Sequence, residues 1–535
     1  MTNDAPVLIA GGGLVGLSAA AFLAQHGVRS VTLERLKDVS PLPRAAFYHM
    51  RTLELFRSLG IEERVVEGSA RDFVPEGAVI ARDTLAGRKL ADFILNLNAG
   101  VDALSPCRRL FLNQPNLEPI LRDRAQSSGA TILRGVEITG LRQDASGVSV
   151  SIRDVDGGGS RELRSSYLIA ADGGHSRVRE ALGIGVEGRG AFSHSVTIYF
   201  TADLRRFVGD NAWSLIYVNN ATLRGFFRLN RAATVGFLAV NIVGDPAVDP
   251  DAAANAAADV SEGRLIALVR AAAGDPNLSV RIDGLSRWRA TACVAQRFRE
   301  GRVFIAGDAA HLMPPTGGFG GNTGIHDAHN LAWKLALVLG GQANPALLNS
   351  YERERLPVCR FIVEQAFSRY VARTAPWLDA STHPAPLADD FEIELGTLYD
   401  APDAPHADPR TTCGRPGSRL PHLWLRRGGE RVSTIDLTGG HLLLAGSDGA
   451  AWMEAVDALR PSFPGLPLDA LRMGKDLDDP QEHYREAFGI SRAGATLVRP
   501  DGFVAWRSPQ AVGDAAAALR AVLNDSLGQP GTSRT

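Results

Sequence analysis

The spacing of apolar residues changes along the chain, and each change marks a boundary. Val7 to Ala10 is a continuous apolar run, followed by a glycine cluster, a segment of helical period ending at His26-Gly27, and a second apolar run at Val31 to Leu33. Strand, helix and strand in that order predict a βαβ start. From Ser193 to Val243 the period falls to two, in short runs at 196–201, 213–218, 225–229 and 234–241. These predict an antiparallel sheet inserted into the α/β domain. A helix is predicted over the Ala-rich segment 251–273, and an α/β pattern resumes at Arg302.

Residues 372–421 are rich in Ala, Pro, Asp and Thr and read as a linker or long loop, with one predicted strand at 391–399. A separate unit follows, with a strand at 441–445, a helix at 450–459, a strand near 468–473, a hairpin about Pro500-Asp501-Gly502 and a helix at 512–523. The expected organisation is therefore a discontinuous α/β domain (1–185 and 285–370), an inserted sheet domain (186–284), a linker with one strand (371–415) and a C-terminal domain (416–530).

Composition narrows the function classes. Of 535 residues, 45% are hydrophobic and 22% charged, proportions that argue against wholesale disorder or a fibrous repeat. The 57 Lys and Arg balance 59 Asp and Glu to a formal net charge of −2, which gives no global footprint for nucleic acid or an anionic membrane. No apolar run near the N-terminus approaches the ~18 residues of a membrane span, and no basic leader precedes the first strand. Cys107, Cys293, Cys359 and Cys413 are far apart and form no CxxC or metal-ligand pair. The expectations are a cytoplasmic monomer or homodimer with reduced thiols and no metal.

The glycine cluster carries chemistry. Gly11, Gly13 and Gly16 form G-x-G-x-x-G directly between a strand and a helix. There Gly11 permits the tight turn, Gly13 lets a pyrophosphate approach the backbone, and Gly16 lets the helix opened by Leu14 and Val15 pack close to the strand. Glu34, beside Arg35, closes the second strand where a carboxylate can accept from both ribose hydroxyls. The motif alone leaves NAD and FAD open.

Two later segments bear on that choice: Tyr167-Leu-Ile-Ala-Ala-Asp172-Gly173-Gly-His-Ser176-Arg-Val-Arg179, and Gly301-Arg-Val-Phe-Ile-Ala-Gly307-Asp308-Ala-Ala-His311-Leu-Met-Pro314-Pro315. With the glycine motif, and in this order, they make the sequence resemble the class A FAD-dependent aromatic hydroxylases, the family of para-hydroxybenzoate hydroxylase. Pro43-Arg44-Ala45, Gln114-Pro-Asn-Leu-Glu118 and the stretch from Thr316 through Asn322 to Lys334 and Pro357 extend the resemblance over nearly all of residues 6–360. The form Pro314-Pro-Thr-Gly-Gly-Phe-Gly-Gly-Asn322-Thr-Gly is most similar to the hydroxylases of aromatic polyketides.

The resemblance implies an α/β protein: a Rossmann-like FAD-binding domain, an inserted antiparallel-sheet substrate domain, and a C-terminal thioredoxin-like domain. It places Arg44 and Gln114 against FAD, Asp172 near the pyrophosphate, Asp308 of the Gly307-Asp308 pair on the ribityl chain, and Pro314, Gly320, Gly321 and Asn322 beside the flavin. Read from the residues, glycines 317, 318, 320 and 321 present backbone N–H groups ahead of a helix predicted to begin at Asn322-Thr323, whose positive end favours the negative charge of a reduced flavin. Asp172 has a plain turn reading as well, and His311 reads as a structural histidine.

The implied cycle is reduction of FAD by NADH or NADPH, addition of O2 to give a flavin C4a-hydroperoxide, and oxygen transfer to a small electron-rich aromatic substrate. A polycyclic polyketide is the expected substrate, with a simple phenol or an aromatic drug as the alternative. An FAD-binding redox sensor without turnover is the alternative of another class. Tyr217, Arg224, Phe226 and Phe227 on the inserted sheet are the substrate candidates, with Trp213, Leu215 and Tyr217 sharing a face by period two. No catalytic base is assigned. The C-terminal unit has no cysteine, which excludes thiol redox chemistry and leaves a structural or dimer-contact role.

Overall fold

The computed structural model describes residues 4–40, 42, 46–244, 255–399 and 401–529. Arg44 lies outside them. Strand Val7–Ala10, buried on both faces, sits inside a six-stranded sheet between Tyr167–Ala170 and Ser30–Glu34, paired parallel to each. Such a strand must read as an unbroken apolar run because helices cover both sides. Helix Leu14–Gln25 packs on this sheet and against helices Gln114–Ser127 and Phe319–Leu339. Val303–Ile305 adds a further parallel strand, so the segment after residue 300 completes the sheet begun at residue 7.

The second sheet has eight strands, ordered from His311–Leu312 through Arg281–Ala295, Val186–Thr201, Val235–Val243, Leu223–Leu229 and Trp213–Asn219 to Ala78–Arg82 and Lys89–Ile94. It is not confined to 186–284. Ala78–Arg82 pairs parallel with Trp213–Asn219 and antiparallel with Lys89–Ile94, so residues 78–94, from the segment assigned to the α/β domain, build one edge of this sheet. The helix predicted at 251–273 is Glu262–Ala273 among the described residues, because the Asp259 carboxylate accepts from Ser261 N–H and turns the chain just before it.

Two further differences bear on the site. Phe391, Ile393 and Leu395 alternate with acidic residues and imitate a strand, yet Asp390–Leu395 is helical, with Asp389 Oδ1 accepting from Phe391 N–H at 2.9 Å. A capping residue outweighs period-two patterning in so short a run. The long helix begins at Phe319, three residues before the predicted Asn322, and is capped by Gly318 at φ +71°.

The C-terminal unit is a four-stranded sheet ordered Leu468–Arg472, His441–Ala445, Ala495–Val498, Val504–Ser508, the first pair parallel and the others antiparallel. Trp333 and Leu337 of the long helix share a core with Leu443, Trp452 and Leu519 of this unit. Among the described residues no helix is long and apolar enough to cross a membrane.

Candidate active site

The glycine turn is dictated by close approach. Gly11 has φ +97°, and a Cβ there would lie 2.3 Å from the Ala171 carbonyl oxygen; a Cβ on Gly16 would lie 1.9 Å from the Gly11 oxygen. Gly13 caps the first helix and is open by comparison, with its nearest neighbour, Glu118 Oε1, at 3.7 Å. Glu34 is held beside the turn: Gly12 N–H donates to Oε2 at 2.6 Å and Leu36 N–H to Oε1 at 2.7 Å. Each oxygen keeps a lone pair for a further donor. Arg35 is exposed beyond the strand end.

Asp172 fastens its own loop. Its carboxylate accepts from Ser176 Oγ at 2.5 Å and Val178 N–H at 3.2 Å, and Ser176 Oγ in turn accepts from Arg179 N–H. Arg179 Nη1 donates to the Ala309 carbonyl at 3.1 Å, which ties this loop to the Gly307-Asp308 turn. Asp308 is exposed and stands in the wall of the main cavity.

Behind that turn, Asp327 Oδ2 accepts from Gly307 N–H at 3.1 Å and pairs with His311 Nε2 at 2.7 Å, and Oδ1 accepts from Arg355 Nε at 2.8 Å. Burial pushes the Asp327 carboxyl up, but Arg355 and His311 outweigh it and hold it below the usual carboxylate range. His311, Asp327 and Cys359 come within ligating distance of one another. The Arg355 guanidinium already supplies the positive charge there, so the cluster is an ion-pair network that braces the turn.

The glycine-rich loop is braced from the other side. Asn322 Nδ2 donates to the Phe47 and Gly318 carbonyls at 2.8 and 2.7 Å, and Oδ1 accepts from His49 N–H and Thr52 Oγ1 at 3.0 and 2.6 Å. The Asn322 side chain is thus engaged within the protein. Gly320 and Gly321 lie in the first turn of the helix, where N–H groups have no intrahelical acceptor, and both line the cavity.

That cavity, about 380 Å³, lies between the two sheets. Gly13, Leu14, Val15, Gln114, Asp308, Pro314, Gly320 and Gly321 line one side. Phe111, Leu215, Tyr217, Phe226, Arg228 and Phe237 line the other, and Arg373, Asp390 and Glu394 close it. Of the substrate candidates, Tyr217 and Phe226 line it, and Arg224 and Phe227 do not. Phe227 points to the opposite face and packs in the core beneath helix Glu262–Ala273. Arg224 shares the face of Phe226, in regular register opposite Asn219, but sits further along the strand, and its guanidinium lies 5.1 Å from the Trp377 ring centroid. A register shift between Trp213 and Leu215 parts Trp213 from the Leu215 and Tyr217 face.

Sequence reasoning missed Arg228, Phe237 and the helix Asp390–Leu395. Period two from Phe226 points to Arg228, so that signal was present. The two acids near the cavity are paired: Glu394 accepts from Arg109 Nε at 2.9 Å, and Asp390 from Arg369 Nη2 at 2.8 Å.

These residues fit FAD. The glycine turn leaves open backbone at a helix start for a pyrophosphate, Glu34 stands at the end of the neighbouring strand beside that turn, where its carboxylate could accept from a ribose, and first-turn N–H groups face an aromatic-walled cavity at the other end.

Comparison with known proteins agrees with this geometry. The family model described as "FAD binding domain" matches residues 4–366, and that described as "Aromatic-ring hydroxylase, C-terminal" matches residues 413–530. The chain is 47% identical to a 4-methyl-5-nitrocatechol 5-monooxygenase of Burkholderia sp, with 98% of each chain covered. It is 38% identical to the aklavinone 12-hydroxylase RdmE of Streptomyces purpurascens, over 98% of this chain and 99% of that one. Among solved structures, aklavinone-11 hydroxylase in complex with FAD and aklavinone superposes with a TM-score of 0.92 at 36% identity, covering 99% of this chain and 100% of that one.

Proposed function

The chain belongs to the FAD-dependent aromatic-ring hydroxylases, and from that premise we propose that it hydroxylates an acidic phenol of the nitrocatechol class. The observation that carries this reading is the aromatic-walled cavity whose opposite side is the glycine-rich loop and the Asp308 turn. When bound, FAD supplies the redox chemistry, accepting reducing equivalents from NADH or NADPH and delivering one oxygen atom of O2 to the ring.

The protein's own contribution is position and environment. Phe111, Phe226, Phe237 and Tyr217 form flat walls that orient a planar ring toward the loop. The first-turn N–H groups of Gly320 and Gly321 place positive potential where negative charge develops on a reduced cofactor. The helix Asp390–Leu395 closes the cavity and limits water. Membership of an enzyme family with monooxygenase relatives removes the sensor reading. The four cysteines, none of them in a disulfide, favour the cytosol.

The higher identity to the nitrocatechol enzyme favours a single ring. The TM-score of 0.92 to an aklavinone complex supports a second reading, a polycyclic polyketide. A screen of nitrocatechols against hydroxyanthraquinones under isotopically labelled O2 decides. Expected are ligand-stimulated NAD(P)H oxidation and one labelled atom in the product of a nitrocatechol; label drawn from water overturns the monooxygenase chemistry, and turnover of the anthraquinones alone selects the second reading.

A further inference from the structure

Arg228 stands in the cavity wall and is 3% exposed. Its guanidinium is caged by rings, with centroids of Phe73, Phe111 and Phe237 at 4.2, 5.3 and 5.8 Å. None of its three nitrogens has a hydrogen-bond partner, and the hydroxyl of fully buried Tyr48 has none either. Other buried arginines of this protein are matched: Arg109 with Glu394, Arg355 with Asp327, Arg419 with Glu54. The charged or titratable groups that act on Arg228 are Tyr48, Asp72 and Tyr199, and Asp72 accepts from Asn116 Nδ2 at 3.0 Å. Burial pulls the Arg228 guanidinium down to about 9, which leaves it cationic at neutral pH.

A buried cation without a paired anion is costly, and proteins retain one where a ligand completes it. Rings supply the cage but no anionic acceptor. In a wall of low dielectric the charge acts on the cavity contents with or without a direct hydrogen bond. We propose that Arg228 is a specificity-determining residue that selects aromatic ligands carrying an ionised oxygen. This rests on the reading of the cavity as the substrate site.

The test uses the FAD-loaded protein with two probes, 4-nitrocatechol, whose visible band reports its ionisation, and its dimethyl ether 4-nitroveratrole, which cannot ionise. The bound catechol is expected to be anionic about one pH unit below the point at which the free catechol ionises, and to bind about tenfold more tightly than the ether. Arg228→Met is expected to abolish both differences with flavin content retained, and Arg228→Lys to keep most of them. A bound catechol that ionises like the free one, or an undiminished preference in R228M, overturns the proposal. Should R228M fail to fold, the ionisation shift in the unmodified protein and its retention in R228K decide. Equal binding of both probes, each perturbing the flavin absorbance, sinks the role of Arg228 alone; no perturbation by either sinks the cavity reading and the proposal with it.

Discussion

Glu54 and Arg419 form a buried ion pair that clamps the C-terminal unit onto the cofactor domain. Arg419 Nε donates to Glu54 Oε2 at 2.9 Å and its Nη2 to Oε1, while Arg51 Nη1 and Ser105 Oγ complete the carboxylate at 2.9 and 2.6 Å. Helix Met50–Ser58 carries Glu54 and begins beside His49, whose N–H donates to Asn322 Oδ1. The clamp therefore sits on the element that also braces the glycine-rich loop. A C-terminal unit without cysteine thus has a mechanical connection to the cofactor site.

Breaking this pair is expected to destabilise the protein. Burial pushes the Glu54 carboxyl up, but Arg419 and Arg51 outweigh it and hold it at about 2, against an ordinary 4.5. The contribution is complete above about 4.5 and is lost as pH falls toward about 2, because the folded state then must take up a proton it binds weakly. Arg419→Met leaves the carboxylate buried and less compensated and is expected to cost about 3 kcal/mol in urea unfolding at neutral pH, with a flatter acid limb. An unchanged midpoint and acid limb would refute the clamp.

Much of this architecture was legible in the sequence where one period or one motif governed the outcome. The fully apolar strand Val7–Ala10 and the glycine turn after it admit a single local solution, since a Cβ at Gly11 or Gly16 meets backbone. The substrate wall was half legible. Period two placed Tyr217 and Phe226 together, but Arg224 on the same face lies beyond the cavity and packs against Trp377, and no local pattern encodes where along a strand the cavity ends. Phe391–Leu395 misled because its alternation suits a strand while Asp389 caps a helix. The isolation of Arg228 is a tertiary fact: it depends on which acids reach it across the sheet, and sequence spacing carries no such information.

Asp327→Asn tests the network behind the Gly307-Asp308 turn. The substitution removes the charge that compensates buried Arg355 and pairs with His311, and weakens the acceptor for Gly307 N–H. Loss of a buried partner is expected to cost about 3 kcal/mol. Flavin content should fall with stability, because the turn that lines the cavity loses its brace. Full flavin occupancy together with an unchanged Tm would show that the network is dispensable.

Asp308→Ala separates cofactor contact from folding. Asp308 is exposed at the cavity wall, so its loss is expected to change Tm little and to lower the flavin-to-protein ratio after gel filtration. Undiminished yellow colour would count against an Asp308 contact with the cofactor.

Gly13→Ala and Gly16→Ala form a matched pair that distinguishes room for a ligand from room for the chain. At Gly16 an added Cβ meets the Gly11 oxygen at 1.9 Å and Ile9 Cγ2 at 3.3 Å, so helix and strand must part. G16A is expected to lose stability by about 2 kcal/mol or more, and cofactor with it. At Gly13 the backbone has φ −82°, which alanine adopts freely, and the nearest atom to a Cβ is 3.7 Å away. G13A is therefore expected to keep its Tm as apoprotein, since nothing in the folded chain is displaced, yet to bind FAD at least about tenfold more weakly because the methyl group occupies the path of the pyrophosphate. Thermal melts of both apoproteins and FAD titrations followed by flavin fluorescence check the pair. A G13A protein with unaltered FAD affinity would mean that the pyrophosphate does not cross this turn.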